Sequence, residues 1–173
     1  HGVLTMDALP VQSQAMEARQ AVRRDVAAIN ELALEAHAFH VKGVPGVFRM
    51  PTSGPANLRY WASALKGRNM AVLVAEDDGR LAGYVQVGIR DAMRLPVLKR
   101  RRFGYVSNLG VGRRWRRRGV GWLLMQAAHQ WLRQRHIREI ELNVWSFNRG
   151  ALRFYERLGY RFLSHRMGKG LAR

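Results

Sequence analysis

The 173-residue chain contains no cysteine. That excludes disulfides, a thiol nucleophile and any thiolate metal site, and says little about compartment. Acid is the second scarcity: 12 Asp and Glu stand against 30 Lys and Arg, a formal net charge of +18. Between Ala92 and Arg138 there is no acid at all, against thirteen Arg or Lys. A surface of that kind attracts a polyanion, whether nucleic acid, an acidic protein or a phosphorylated cofactor. Arginine-rich codon usage would account for Arg over Lys, but not for the missing acids. No apolar run is long enough to span a bilayer and no signal-peptide pattern is present, so a cytoplasmic protein with no membrane partner is expected. What the chain does have is 47% apolar residues spread along its length, enough for a real core.

Residues 1–14 read as a tag remnant or flexible N-terminus, with Met6 as the natural start, and 15–173 as a single domain. In order, 16–20 suit a short strand, and Asp25 opens a helix with Val26, Ile29, Leu32, Ala33, Ala36 and Phe39 on one face. His37 and His40 end it, with no nearby carboxylate to make them ligands. Residues 43–55 form a loop rich in Pro and Gly, 57–66 a second helix, and 70–76 with 81–90 a hairpin closed by Asp77-Asp78-Gly79-Arg80. Further on, 139–145 alternate as a strand, Asn148 caps a helix stopped by Gly159, and 160–165 read as a last strand. The order strand–helix–helix–strand–strand–strand–helix–strand–helix–strand is α/β with a mixed sheet, and 105–145 is a parallel crossover unit. No internal repeat or interdomain linker is present.

The chain is organised around 111–121, VGRRWRRRGVG. Before it, 103–111 has the aromatic, β-branched and small residues of a strand; after it, Val120, Leu123, Leu124, Ala127, Ala128, Trp131 and Leu132 recur at helical spacing. A glycine-rich loop between strand and helix leaves unpaired N–H groups at the positive end of a helix dipole. Gly119 can adopt angles other residues resist, and Gly121 has no Cβ to block a close approach. With Arg113, Arg114, Arg116, Arg117 and Arg118, the loop suits phosphate. A tight turn with a solvated basic face is the competing reading of the same residues.

Two blocks carry a resemblance. Arg116-Arg117-Arg118-Gly119-Val120-Gly121 has the form Arg or Gln, two residues, Gly, one residue, Gly or Ala; it follows a strand ending Leu109-Gly110-Val111. Asn148 then opens a helix containing Tyr155 and ending Gly159-Tyr160. In this order and separation they resemble the GNAT superfamily of N-acetyltransferases over nearly the whole chain. The resemblance implies a GNAT-like acyl-CoA N-acyltransferase fold: a mixed, mostly antiparallel sheet with a splayed parallel strand pair and flanking helices. It implies acetyl-CoA as co-substrate, with no metal, and direct transfer to a primary amine of a small molecule or peptide. The acyl-CoA would contact Leu109, Gly110, Val111, Arg116, Arg117, Arg118, Gly119, Val120, Gly121, Trp122, Asn148 and Tyr155. Its pyrophosphate suits the loop amides, and its amide arm can pair with a strand edge opened by a bulge expected at 108–110.

Acetyl transfer to an amine needs a neutral nucleophile, stabilisation of an oxyanion and a proton for the leaving thiolate. A backbone N–H near Leu109 can meet the oxyanion, and the resemblance assigns Tyr155 as proton donor; core packing is the alternative role for that ring. Relatives that acetylate protein N-termini often carry Glu at the position of Asn143, and Asn takes up no proton at neutral pH. Asn108 and Asn143 are then expected to position a relay water or the substrate, with Glu141 a further candidate on the same strand face. The acceptor would lie against residues 37–55 and the second helix. A homodimer is compatible with this reading. A non-catalytic acyl-CoA-sensing domain and a basic nucleic-acid-binding module are the alternatives, the latter lacking any helix-turn-helix, zinc or stacking-aromatic motif.

Overall fold

Strand β2 (Met70–Asp77) dictates the layering, because it is apolar on both faces. Ala71, Leu73 and Ala75 enter one core while Val72 and Val74 enter a second, as the alternation of a strand requires. A sheet apolar on both sides must be covered on both sides. Residues 16–51 and 54–171 are described by the computed structural model; the readings of 1–14 lie outside the described residues. Helices α1 (Val26–Gly43) and α2 (Pro55–Ala64) cover one face, where Ile29, Trp61 and Ala64 pack on Val72, Val74 and Tyr84. Helix α3 (Val120–Arg133) covers the other with Val120, Leu124, Met125, Ala128, Trp131 and Leu132.

The sheet runs β1-β2-β3-β4-β5, with β1 (Glu17–Gln20), β3 (Arg80–Asp91), β4 (Arg102–Val111) and β5 (Ile140–Leu142) completing it. The first three pairings are antiparallel and β4 pairs with β5 in parallel. This is the mixed, mostly antiparallel sheet with one parallel pair and flanking helices expected from the sequence. The β2–β3 turn falls at Asp78 and Gly79, both with positive φ (47° and 72°). Helix α4 (Arg149–Arg157) closes the chain's last turn, capped by Asn148, whose side chain accepts from Ala151 N–H at 3.1 Å.

Two expectations change. The strand read at 139–145 pairs only over Ile140–Leu142, because β4 bends away beyond that point. Residues 160–165 form no strand. Gly159 turns the chain at φ 88°, and Tyr160 N–H is taken by the Tyr155 carbonyl at 3.0 Å, a helix-terminating bond that leaves it nothing to give a ladder. Tyr160 folds back, with Oη 2.8 Å from His129 Nε2. Burial, together with Arg133, keeps His129 below its ordinary pKa.

Asp25 does not cap α1 with its side chain. Its carboxylate reaches back to Val22 N–H at 2.7 Å and takes both Arg19 guanidinium nitrogens, at 2.7 and 3.0 Å. Burial raises its pKa, but the Arg19 and Val22 hydrogen bonds outweigh this and hold it below the ordinary carboxylate value. A depressed folded value means the stabilisation is complete above the unfolded pKa, near about 3.9, and is lost as pH falls through the folded one. Asp25→Asn should cost about 2 kcal/mol at pH 7, discounted because Arg19 is partly exposed and keeps Glu76. Urea titrations at pH 7 and pH 3 check this: the difference between wild type and variant should shrink at pH 3.

Candidate active site

The site begins where β4 leaves β5. Val106 is the last residue paired to β5, opposite Leu142. On the other side Val87 pairs with Val106 but Gln86 pairs with Asn108, so Ser107 is an extra residue, a bulge. The bulge therefore sits at Ser107, just before the 108–110 stretch expected. Beyond it Gly112 N–H bonds to the Ala82 carbonyl at 2.9 Å, toward β3. By alternation Gly110 also faces β3, and the backbone groups of Leu109 and Val111 face the open side. The Val111 carbonyl there accepts from Arg116 Nε at 3.1 Å. The edge between β4 and β5 lines a cleft of about 1320 Å³.

The arginine-rich loop forms one end of that cleft. Arg117 and Gly119 both adopt left-handed angles, φ 61° and 81°. Gly119 is the residue before α3, and no side chain caps the helix start. Among the described residues, the amides from Arg117 to Trp122 have no hydrogen-bond acceptor outside the helix, whereas Leu123 N–H returns to the Gly119 carbonyl. A Cβ on Gly121 would lie 3.3 Å from the Phe154 ring, so glycine lets α3 approach α4. The five loop arginines divide. Arg116 pairs with Glu35 of α1 at 2.8 Å, and Arg113 N–H donates to the same carboxylate. Arg114 stacks on Trp115, and Arg118 lies 3.8 Å from Asp77 and outside the cleft. Arg116 and Arg117 line the cleft, joined by Arg153 and Arg157 of α4. The sequence reading missed those last two, although their i, i+4 spacing puts them on one face.

From α4, Tyr155 and Asn148 also face the cleft. Tyr155 is half-buried against Phe154 and Tyr160, ring centroids 5.1 and 5.5 Å away. Among the described residues its Oη has no hydrogen-bond partner, and burial pushes its pKa well above that of an ordinary phenol. It therefore stays protonated throughout the physiological range. Asn148 uses Oδ1 as a cap, which leaves its Nδ2 for the cleft.

Asn108 and Asn143 both line the cleft. Glu141 does not; with Glu139 it clamps Arg101, away from the splay. The opposite wall comes from α1 and α2 and from an aromatic group that joins His40 and Phe48 to Trp145 and Phe147. Beneath it lies Gln86, fully buried, its Oε1 receiving both Tyr60 Oη and Asn108 Nδ2. No Asp or Glu lines this cleft among the described residues.

The sequence pattern of the Acetyltransferase (GNAT) family matches residues 27–160. The chain belongs to the acetyltransferase (GNAT) family. It is an N-acetyltransferase by that membership, and its mixed sheet with one parallel pair is the family's. An N-alpha-acetyltransferase of Sulfurisphaera tokodaii is 31% identical over 114 residues, 62% of this chain and 67% of that protein. A mutant of the BH1408 protein from Bacillus halodurans superimposes with a TM-score of 0.82 at 31% identity, covering 91% of this chain and 100% of that one. An aminoglycoside N-acetyltransferase, AAC(6′)-Iy, in complex with CoA has a TM-score of 0.75 at 18% identity, covering 95% and 99%. At that identity the likeness is one of fold. No helix among the described residues is long and apolar enough to cross a membrane.

Proposed function

We propose that this acetyltransferase moves the acetyl group of acetyl-CoA to the α-amine of a peptide. The observation that carries the proposal is that one cleft brings together an uncapped helix start, an open strand edge and an unpaired, protonated phenol. Acetyl-CoA would supply the activated thioester. The amides from Arg117 to Trp122 would hold its pyrophosphate, with Arg117, Arg153 and Arg157 as mobile charge. Arg116 instead braces the loop through Glu35 and the Val111 carbonyl. The amides of Leu109 and Val111 would pair with the pantetheine arm and Asn148 Nδ2 would meet its far end. Tyr155 Oη gives its proton to the departing sulfur as the new C–N bond forms and the C–S bond breaks.

Charge supports this acceptor class. A polycation such as an aminoglycoside or polyamine would find no carboxylate in this cleft and several arginines. A peptide α-amine carries one charge and has a pKa of about 7.7–8.0, so roughly a tenth or more of it is already neutral at pH 7 without a strong base. The N-alpha-acetyltransferase relative supports the same class. Asn108 and Asn143 take the place of a carboxylate base and can align a water that carries the amine proton away.

Comparing kcat/KM for a free-amine tetrapeptide, kanamycin and spermidine tests this. The peptide should lead by at least about tenfold. Its kcat/KM should rise with pH through a single ionisation near the α-amine pKa, levelling above about 8. Preference for kanamycin or spermidine would reject the acceptor class.

A further inference from the structure

Gln86 sits between Val85 and Val87 on β3 and is 1% exposed. A buried amide keeps its polar atoms satisfied, and its three neighbours decide which end points where. Met70 Sδ lies 3.2 Å from Gln86 Nε2. A thioether can only accept, so the amide must turn its NH₂ to the sulfur and its oxygen away. That oxygen meets Tyr60 Oη at 3.0 Å and Asn108 Nδ2 at 2.7 Å, and both must donate to it. The bulge at Ser107 makes this contact, because it brings Asn108 opposite Gln86.

The consequence lies at the cleft wall. Asn108 has turned its NH₂ to Gln86 and offers Oδ1, which has no hydrogen-bond partner among the described residues. Tyr60 has given its only proton and offers lone pairs. A primary amine attacks through its own lone pair. A wall of donors would hydrogen-bond that pair and quench it, while a wall of acceptors holds the amine by its N–H groups and leaves the pair free.

We infer that Gln86 is a positioning residue that fixes Asn108 and Tyr60 as hydrogen-bond acceptors for the incoming amine. This rests on the cleft being a site of amine acetylation. Gln86→Met fills the same volume and leaves only a thioether, a weak acceptor, in place of the amide oxygen. It should raise the KM for a free-amine tetrapeptide about tenfold, the loss of roughly one hydrogen bond to an amine, and leave kcat and the acetyl-CoA KM within twofold. Gln86→Glu keeps the accepting oxygen and should recover most of that loss. Asn108→Ala should show the same rise in KM together with a fall in kcat, since it also removes a partner of the relay water, and the double variant with Gln86→Met should raise KM no further. Additive losses, an equal rise in the acetyl-CoA KM, or unchanged kinetics with only a lower Tm would overturn the inference.

If Gln86→Met does not fold, Tyr60→Phe carries the test from outside the core: it should raise the amine KM and leave kcat within twofold, and unchanged values would overturn the inference. If the wild type acetylates kanamycin but not the peptide, only the acceptor class fails, and the same split is measured with kanamycin. If it acetylates neither, this inference falls with the proposed activity.

Discussion

Tyr155→Phe should lower kcat by about 10²–10⁴-fold, the usual contribution of general acid catalysis. The ring stays, so its contacts with Phe154 and Tyr160 survive and Tm should hardly move. Acetyl-CoA affinity should change little, because the proposed cradle is backbone and arginine. The raised phenol pKa sets the sense of the effect. A group that ordinary pH never ionises can donate at every turnover, and a thiolate released into the same dry wall is a correspondingly strong base. Stopped turnover and melting measured on one preparation separate the roles: normal turnover would return Tyr155 to core packing alone.

Gly119→Val should raise the acetyl-CoA Kd by about 10–100-fold, the equivalent of roughly 1–3 kcal/mol of strain at a left-handed position. A Cβ at Gly119 meets nothing within 4 Å, so the penalty is one of backbone angle rather than collision. The φ of 81° is what aims the helix-start amides into the cleft. Gly119→Asn is the control, since Asn tolerates this region, and it should keep most of the affinity. Calorimetry with acetyl-CoA reads both; equal affinity for Gly, Val and Asn would remove the loop from the cofactor site.

The sequence made some of this legible because the signals are local. Gly119 before an apolar helix, Asp78-Gly79 between two alternating runs, and Asn148 three residues ahead of the amide it caps each act over a few residues. The buried face of α3 was legible for the same reason, since period 3.6 in 120–133 names it.

What escaped depends on distant partners. Nothing near Arg116 announces that Glu35, 81 positions away, will brace it, or that Asp77 will draw Arg118 off. The sequence alone puts Arg116, Arg117 and Arg118 on the acyl-CoA, whereas Arg116 and Arg117 line the cleft, Arg118 does not, and two more arginines come from α4. Gln86 was passed over inside an alternating strand, although a polar residue on the inward side between two valines was a usable sign. The last strand was overcalled because alternation in 160–165 says nothing of whether a neighbouring edge exists, and the helix cap had already claimed Tyr160 N–H.

Acetyl transfer itself is read by following thiol release from acetyl-CoA when the protein meets a free-amine peptide. One free CoA thiol is expected for each acetylated α-amine, with release abolished when the peptide's amine is already blocked. Acetyl-CoA that binds and raises Tm, yet releases no thiol with peptide, aminoglycoside or polyamine, would contradict it and leave a cofactor-sensing domain instead.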